Sequence, residues 1–157
     1  MSKFNLKEYL KASNDIILVI FQFLIISLHF IKFEFLHKIK IIQGNSILSL
    51  LGLIIIIIAS IIILLAIKDL GSNLSPFPKP ISNGNLVTSG IYRFIRHPMY
   101  YSLILISLGV FIVNSSFYYL CLTISLTLVI KFKITLEDQY LNNKFKNYLF
   151  YNDKVKY

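Results

Sequence analysis

Two short runs hold the side chains best suited to chemistry. In the first, Arg96 and His97 precede Pro98, Met99 and Tyr100. Proline disfavours helix in the residue before it and fits the first turn of a helix, so a helix is expected to open at Pro98. A guanidinium, an imidazole and unsatisfied helix N–H groups then meet at one point, which suits an anion. The second run is Glu137-Asp138, followed by Leu141, Phe145, Tyr148, Tyr151 and Val155. Leu141, Phe145, Tyr148 and Tyr151 recur at helical spacing, and the tail is expected as an interfacial amphipathic helix over 137–151. Both runs also have a plain structural reading, because Arg, His and Tyr are ordinary anchors at a membrane surface. Two adjacent acids fit that reading poorly, since carboxylates gain little from anionic headgroups.

The elements that must hold these runs are membrane helices. The chain of 157 residues is 56% hydrophobic and 15% charged, with a mean hydropathy of +0.71. Soluble domains carry roughly a quarter charged residues, so a water-soluble globule is excluded, as are a disordered chain and a disulfide-stapled secreted module. Cys121 is the lone cysteine, which rules out an internal disulfide and makes no metal site. In so apolar a chain, the net charge of +9 suits anionic lipid headgroups and membrane orientation rather than nucleic acid.

A membrane-spanning helix needs roughly 20 apolar residues. The uncharged stretch 41–67, with its core at 47–67, meets this outright. An earlier span is expected over 16–31; it leads to Lys32 and Glu34 without a small-residue cleavage site, so it reads as a retained helix and not a signal peptide. From His97 to Ile130 no Asp, Glu, Lys or Arg occurs. One helix of that length would extend about 51 Å, too far for a single crossing. Asn114, Ser115 and Ser116 break the run near its middle, predicting a helical hairpin with arms at 98–113 and 117–134. The expected fold is therefore an all-α, single-domain membrane bundle of about four crossings, with a polar loop at 68–97.

Four crossings put both termini and that loop on one side. The side then holds three basic residues before the first span, four in the loop and six from Lys131 onward, against Lys32, Lys38 and Lys40 opposite. This asymmetry predicts a cytoplasmic location for the loop and both ends. Within the loop, Gly71 is the expected helix stop, Ser75-Pro76-Phe77-Pro78-Lys79-Pro80 a stiff extended run, and Asn83-Gly84-Asn85 a turn. His29, Gln22 and Ser27 read as interhelical hydrogen-bonding groups, and Cys121 as packing.

Gly90-x-Tyr92-x-x-x-Arg96-His97-Pro98-x-Tyr100, followed by Glu137-Asp138-x-x-Leu141-x-x-x-Phe145-x-x-Tyr148-x-x-Tyr151-x-x-x-Val155, resembles the isoprenylcysteine carboxyl methyltransferase and phospholipid methyltransferase group of integral membrane enzymes. The likeness covers about residues 71–157. It implies a cytosol-facing S-adenosylmethionine pocket beneath the loop and a lipid-side entrance for the methyl acceptor. Carried over by position, the cofactor-binding residues are Gly84, Asn85, Leu86, Val87, Tyr92, His97, Pro98, Met99, Tyr100 and Glu137. The residue that engages the acceptor's carboxylate in the carboxyl methyltransferases is an Arg four before the first acid, a place held here by Lys133. The chain departs from the pattern in having Gly84 where His is frequent, Glu-Asp in place of Glu-Glu, and Lys146 in place of a common Gly. It also lacks the usual Pro-Arg near the end.

What the resemblance implies chemically is in-line displacement on an already activated methyl donor, which needs alignment and exclusion of water, but no metal and no protein nucleophile. In that scheme Arg96 and the helix start hold the cofactor's carboxylate, Glu137 its cationic or hydroxyl parts, and Lys133 orients an anionic acceptor such as a prenylated carboxylate. The alternatives are N-methylation of an ethanolamine headgroup and a non-catalytic lipid-binding module of the same fold. Related folds in NADPH-dependent sterol reductases fit the Glu-Asp tail less well.

Overall fold

The computed structural model describes residues 6–155 apart from Lys32 and Gly44; Lys3, Lys32 and Lys156 of the charge count lie outside the described residues. The described residues form α1 (Leu6–Leu28), α2 (Glu34–Lys38), α3 (Ser46–Leu70), α4 (Pro98–Asn114), α5 (Phe117–Lys144) and α6 (Tyr148–Lys154), and no named strand occurs among them. The all-helical class expected from composition is the class found.

Each boundary has a local cause. The Asn45 side chain accepts from the Leu48 N–H at 2.7 Å and caps α3, which ends at Gly71. His97 is non-helical (φ −124°, ψ 58°) and α4 opens at Pro98 as expected. The hairpin break is also where the polar trio lies: α4 ends at Asn114, Ser115 takes φ +51°, and α5 starts at Phe117. The connection after α2 clips this turn by two main-chain bonds, Ile41 N–H to the Ser115 carbonyl and Phe117 N–H to the Ile39 carbonyl, both 2.9 Å.

Two expected boundaries are corrected. The first span, expected over 16–31, ends at Leu28, because residues 29–31 turn back with i→i−3 bonds. The tail helix expected over 137–151 is divided. α5 continues through Glu137 and Asp138 to Lys144, Phe145 is extended (ψ 113°), and α6 restarts at Tyr148. Two tyrosine hydroxyls with partners elsewhere account for the break, as described below.

Small residues set the closest helix contact. Gly52, Ala59 and Ala66 lie at seven-residue intervals on α3 and are all buried. A Cβ on Gly52 would lie 2.8 Å from the Gly109 carbonyl oxygen, and one on Gly109 would lie 2.8 Å from the Gly52 carbonyl oxygen, so the two backbones approach as only glycine permits. Ile25 of α1 packs with Tyr118, Tyr119, Leu122, Leu126 and Ile130 of α5 to form the main apolar core, with Leu103 and Ile104 of α4 against it.

Several polar groups inside the bundle are satisfied across helices. His29 Nδ1 donates to the Ile25 carbonyl at 2.9 Å, leaving Nε2 to accept from the Ser107 hydroxyl at 2.8 Å, as the sequence reading of His29 expects. By contrast, α3 turns Leu50, Ile54, Ile57, Ile58, Ile61 and Leu64 outward, each more than 40% exposed. A continuous apolar face of this kind suits lipid rather than water. α3 with its following turn, and α5, are long and apolar enough to cross a membrane; the apolar stretches Asp15–Leu28 and Pro98–Asn114 are shorter.

Candidate active site

The loop between α3 and α4 is built on side chains from the end of α3 and the turn after it. Asp69 accepts from the Ile91 N–H at 2.7 Å, and Asn73 accepts from the Asn85 N–H at 2.9 Å. Gly90 makes the first contact possible: it takes φ +61°, and a Cβ there would stand 2.0 Å from an Asp69 carboxylate oxygen. The loop is further held where Lys144 donates to the Ile81 carbonyl. A stiff run containing three prolines has few N–H groups of its own, so it depends on such outside partners.

The two sequence runs, some 40 residues apart, meet in space. His97 is buried, and its Nε2 donates to Asp138 Oδ1 at 2.8 Å; its Nδ1 lies 3.9 Å from Glu137 Oε1. Arg96 stands 3.6 Å from the other Asp138 oxygen. The Tyr148 hydroxyl also donates to Asp138, and the Tyr151 hydroxyl donates to the Tyr92 carbonyl at 2.6 Å. Burial, together with the Asp138 carboxylate, raises the Tyr148 pKa; burial pushes Tyr151 up to about 12 against the opposing pull of Arg96. Burial and the Glu137 charge raise Tyr92. All three phenols therefore stay protonated, and Tyr148 and Tyr151 keep their donor roles, through the neutral range.

The acid pair thus divides its work. Asp138 is tied down by Arg96, His97 and Tyr148, whereas Glu137, hydrogen-bonded to Tyr100, also borders open space. That space is two adjoining clefts. One, about 80 Å³, lies under the loop and is lined by Gly84, Asn85, Leu86, Val87, Tyr92, Arg96 and Glu137, among others. The second, about 270 Å³, lies between α1, α4 and α5 and is lined by Gln22, Arg96, His97, Met99, Tyr100, Lys133 and Glu137, among others. Tyr92, Arg96 and Glu137 border both. Of the positions expected to hold cofactor or acceptor, Pro98 alone lines neither cleft; it is buried at the start of α4.

Lys133 is 1% exposed and does not reach for headgroups. Its Nζ donates to Gln22 Oε1 at 2.5 Å and to the Pro76 carbonyl at 2.9 Å, and it stands 5.2 Å from the centre of the Tyr100 ring. Gln22 makes the interhelical hydrogen bond expected of it, but its place at the cleft beside Lys133 is one that sequence reasoning missed. A lone amide in an apolar run was the only signal, and it reads equally well as ordinary interhelical bonding. Asp138 and Tyr148 were visible as motif members, but not as the frame that orients His97.

The chemistry of the residues fits the implied cofactor, a zwitterion with a sulfonium. Glu137 offers an anion to its cationic part, and Arg96 offers a cation to its carboxylate. The helix start offers less than expected: Pro98 has no N–H, and the N–H groups of Tyr100 and Tyr101 both donate to the His97 carbonyl at 3.1 Å, which leaves that of Met99. The small cleft alone is below ligand size, but the two adjoining clefts together reach the lower end of ordinary ligand sites, roughly 300 Å³. Gly84 bears on this: a Cβ there would meet Asn73 Oδ1 at 2.7 Å, so the bulkier His frequent in related enzymes does not fit this loop as folded.

Comparison with known families gives one finding. The family model described as phospholipid methyltransferase matches residues 47–148, which takes in α3, the loop, both arms of the hairpin and the acid pair. No curated protein and no solved structure matches the chain.

Proposed function

The chain belongs to the phospholipid methyltransferase family, and from that premise we propose that it transfers a methyl group from S-adenosylmethionine to a lipidic acceptor at the membrane–cytosol interface. The observation that carries this reading is the pair of clefts meeting at Tyr92, Arg96 and Glu137, one under the polar loop and the other open between helices. A water-soluble donor and a membrane-borne acceptor need such a junction. When bound, the cofactor supplies a methyl group already activated for in-line displacement. The protein's part is to align and to exclude water. Arg96 and the Met99 N–H hold the carboxylate, and Glu137 holds cationic or hydroxyl groups. The 84–87 segment and Tyr92 form walls, and the 97–100 turn sets the floor between the two compartments.

The acceptor is a prenylated or otherwise lipidic carboxylate drawn to Lys133, resembling the substrates of isoprenylcysteine carboxyl methyltransferases. The family match itself favours a second reading, N-methylation of an ethanolamine headgroup. The protein is multi-pass, with four crossings and with the 68–97 loop and both termini in the cytoplasm. Membrane lipids, not nucleic acid, are its surroundings and partners.

Isothermal calorimetry on purified protein with S-adenosylmethionine and, separately, NADPH tests the cofactor. Binding of S-adenosylmethionine alone is expected. Glu137→Ala and His97→Ala should each weaken it about tenfold or more, the size of a lost charge-assisted hydrogen bond, while circular dichroism stays unchanged. Unchanged affinity in both variants removes the cofactor from this site, and binding without transfer to any lipid extract favours the non-catalytic module.

A further inference from the structure

A third cleft, about 610 Å³, lies between residues 86–93 of the loop and the tail. Leu86, Phe145, Tyr151 and Val155 give it an apolar floor, and Arg93, Lys144, Lys146 and Lys154 ring it; no Asp or Glu lines it. Lys144 is already engaged, donating to the Ile81 carbonyl and lying 5.0 Å from the centre of the Phe145 ring. Arg93, Lys146 and Lys154 are exposed, and among the described residues none forms an ion pair. Three like charges around one hollow repel one another until an anion enters. None of the three borders the clefts assigned to methyl transfer.

We propose that this cleft binds the phosphate of an anionic membrane lipid and so seats the tail on the bilayer surface. The inference rests on the membrane placement argued above. Two observations favour a lipid over a soluble phosphate compound. Phe94, Leu149 and Phe150, which adjoin the cations, are 70%, 57% and 75% exposed, and apolar rings beside basic groups suit the headgroup boundary. The 28 residues of α5 extend about 42 Å, close to the 40–45 Å of a bilayer counted with its headgroups, so the end of α5 and the tail fall at phosphate level.

The chain contains no Trp, so Phe150→Trp places a single indole at the cleft wall. The full-length protein is placed in phosphatidylcholine nanodiscs that carry an equal minor fraction of either brominated phosphatidylglycerol or brominated phosphatidylcholine. Quenching at least twofold stronger by the anionic lipid is expected, and Lys146→Glu combined with Lys154→Glu should abolish the difference. Equal quenching by the two lipids overturns the proposal. No quenching by either overturns it as well, and assigns the failure to the membrane placement beneath it. In detergent, inorganic phosphate that shifts the indole emission while nanodiscs show no lipid preference makes the ligand a soluble phosphate and overturns the lipid assignment.

Discussion

Lys133 brings a positive charge into a place from which water is almost excluded, and its two hydrogen-bond partners, the Gln22 amide oxygen and the Pro76 carbonyl, are neutral. An ammonium has three protons, so one remains for the cleft that Lys133 lines. A buried cation held only by neutral groups is costly unless a negative group completes it. The nearest candidates are Glu137, one turn along α5, and an anionic acceptor. If the acceptor is anionic, Lys133→Arg should keep methyl transfer within about tenfold, Lys133→Gln should raise KM with little change in kcat, and Lys133→Glu should abolish transfer. An amine acceptor reverses the order, with the Glu variant tolerated or better. The measurement is labelled methyl passing from S-adenosylmethionine into lipid extract. Calorimetric cofactor binding serves as the control for folding, because a Glu facing two carbonyl-type oxygens strains the site on its own. The Arg96–His97 run and Glu137 were legible in the sequence because each is a local pattern with a local meaning. The interhelical bond of Gln22 was legible too, but its partner was not, since Lys133 is 111 positions away and an amide inside an apolar helix carries no hint of which helix it will face.

Among the elements, the α3–α4 pair depends on Gly52 and Gly109, whose backbones leave no room for a Cβ. Gly109→Val is expected to force the helices apart at about 1–3 kcal/mol, an overpacking cost, and to lower the thermal midpoint in detergent by several degrees. A variant at the outward-facing Ile57 serves as the unaffected comparison. If Gly109→Val melts with the parent, the contact is not tight in solution. The hairpin break was readable because Asn114, Ser115 and Ser116 are three polar residues in a row within an uncharged run. The divided tail was not. Leu141, Phe145, Tyr148 and Tyr151 keep helical spacing, but the last two place their hydroxyls on Asp138 and on the Tyr92 carbonyl, and a straight helix from 137 cannot serve both. Periodicity registers which face is apolar; it does not register where a phenol will find its acceptor.

At the scale of the whole molecule, the proposed orientation rests on the uneven distribution of Lys and Arg and can be tested directly. In a Cys121→Ser background, which removes the exposed native thiol, single cysteines at positions 73 and 150 should resist a membrane-impermeant maleimide in intact cells, while one at position 37 should react. External labelling at 73 would invert the topology and deny the loop its cytosolic cofactor. The far end of the bundle has a mechanical consequence. There the segment after α2 is joined to the turn between α4 and α5 by two main-chain bonds, which no substitution short of proline at Ile41 or Phe117 removes. The helices are in effect pegged by main chain at one end of the bundle, while at the other α1 meets α5 through side-chain bonds, Gln22–Lys133 and Asp15–Tyr140. An acceptor bound for the cleft between α1, α4 and α5 is then expected to enter by a scissor-like parting of α1 from α5 about that peg, with the Gln22–Lys133 bond as its latch.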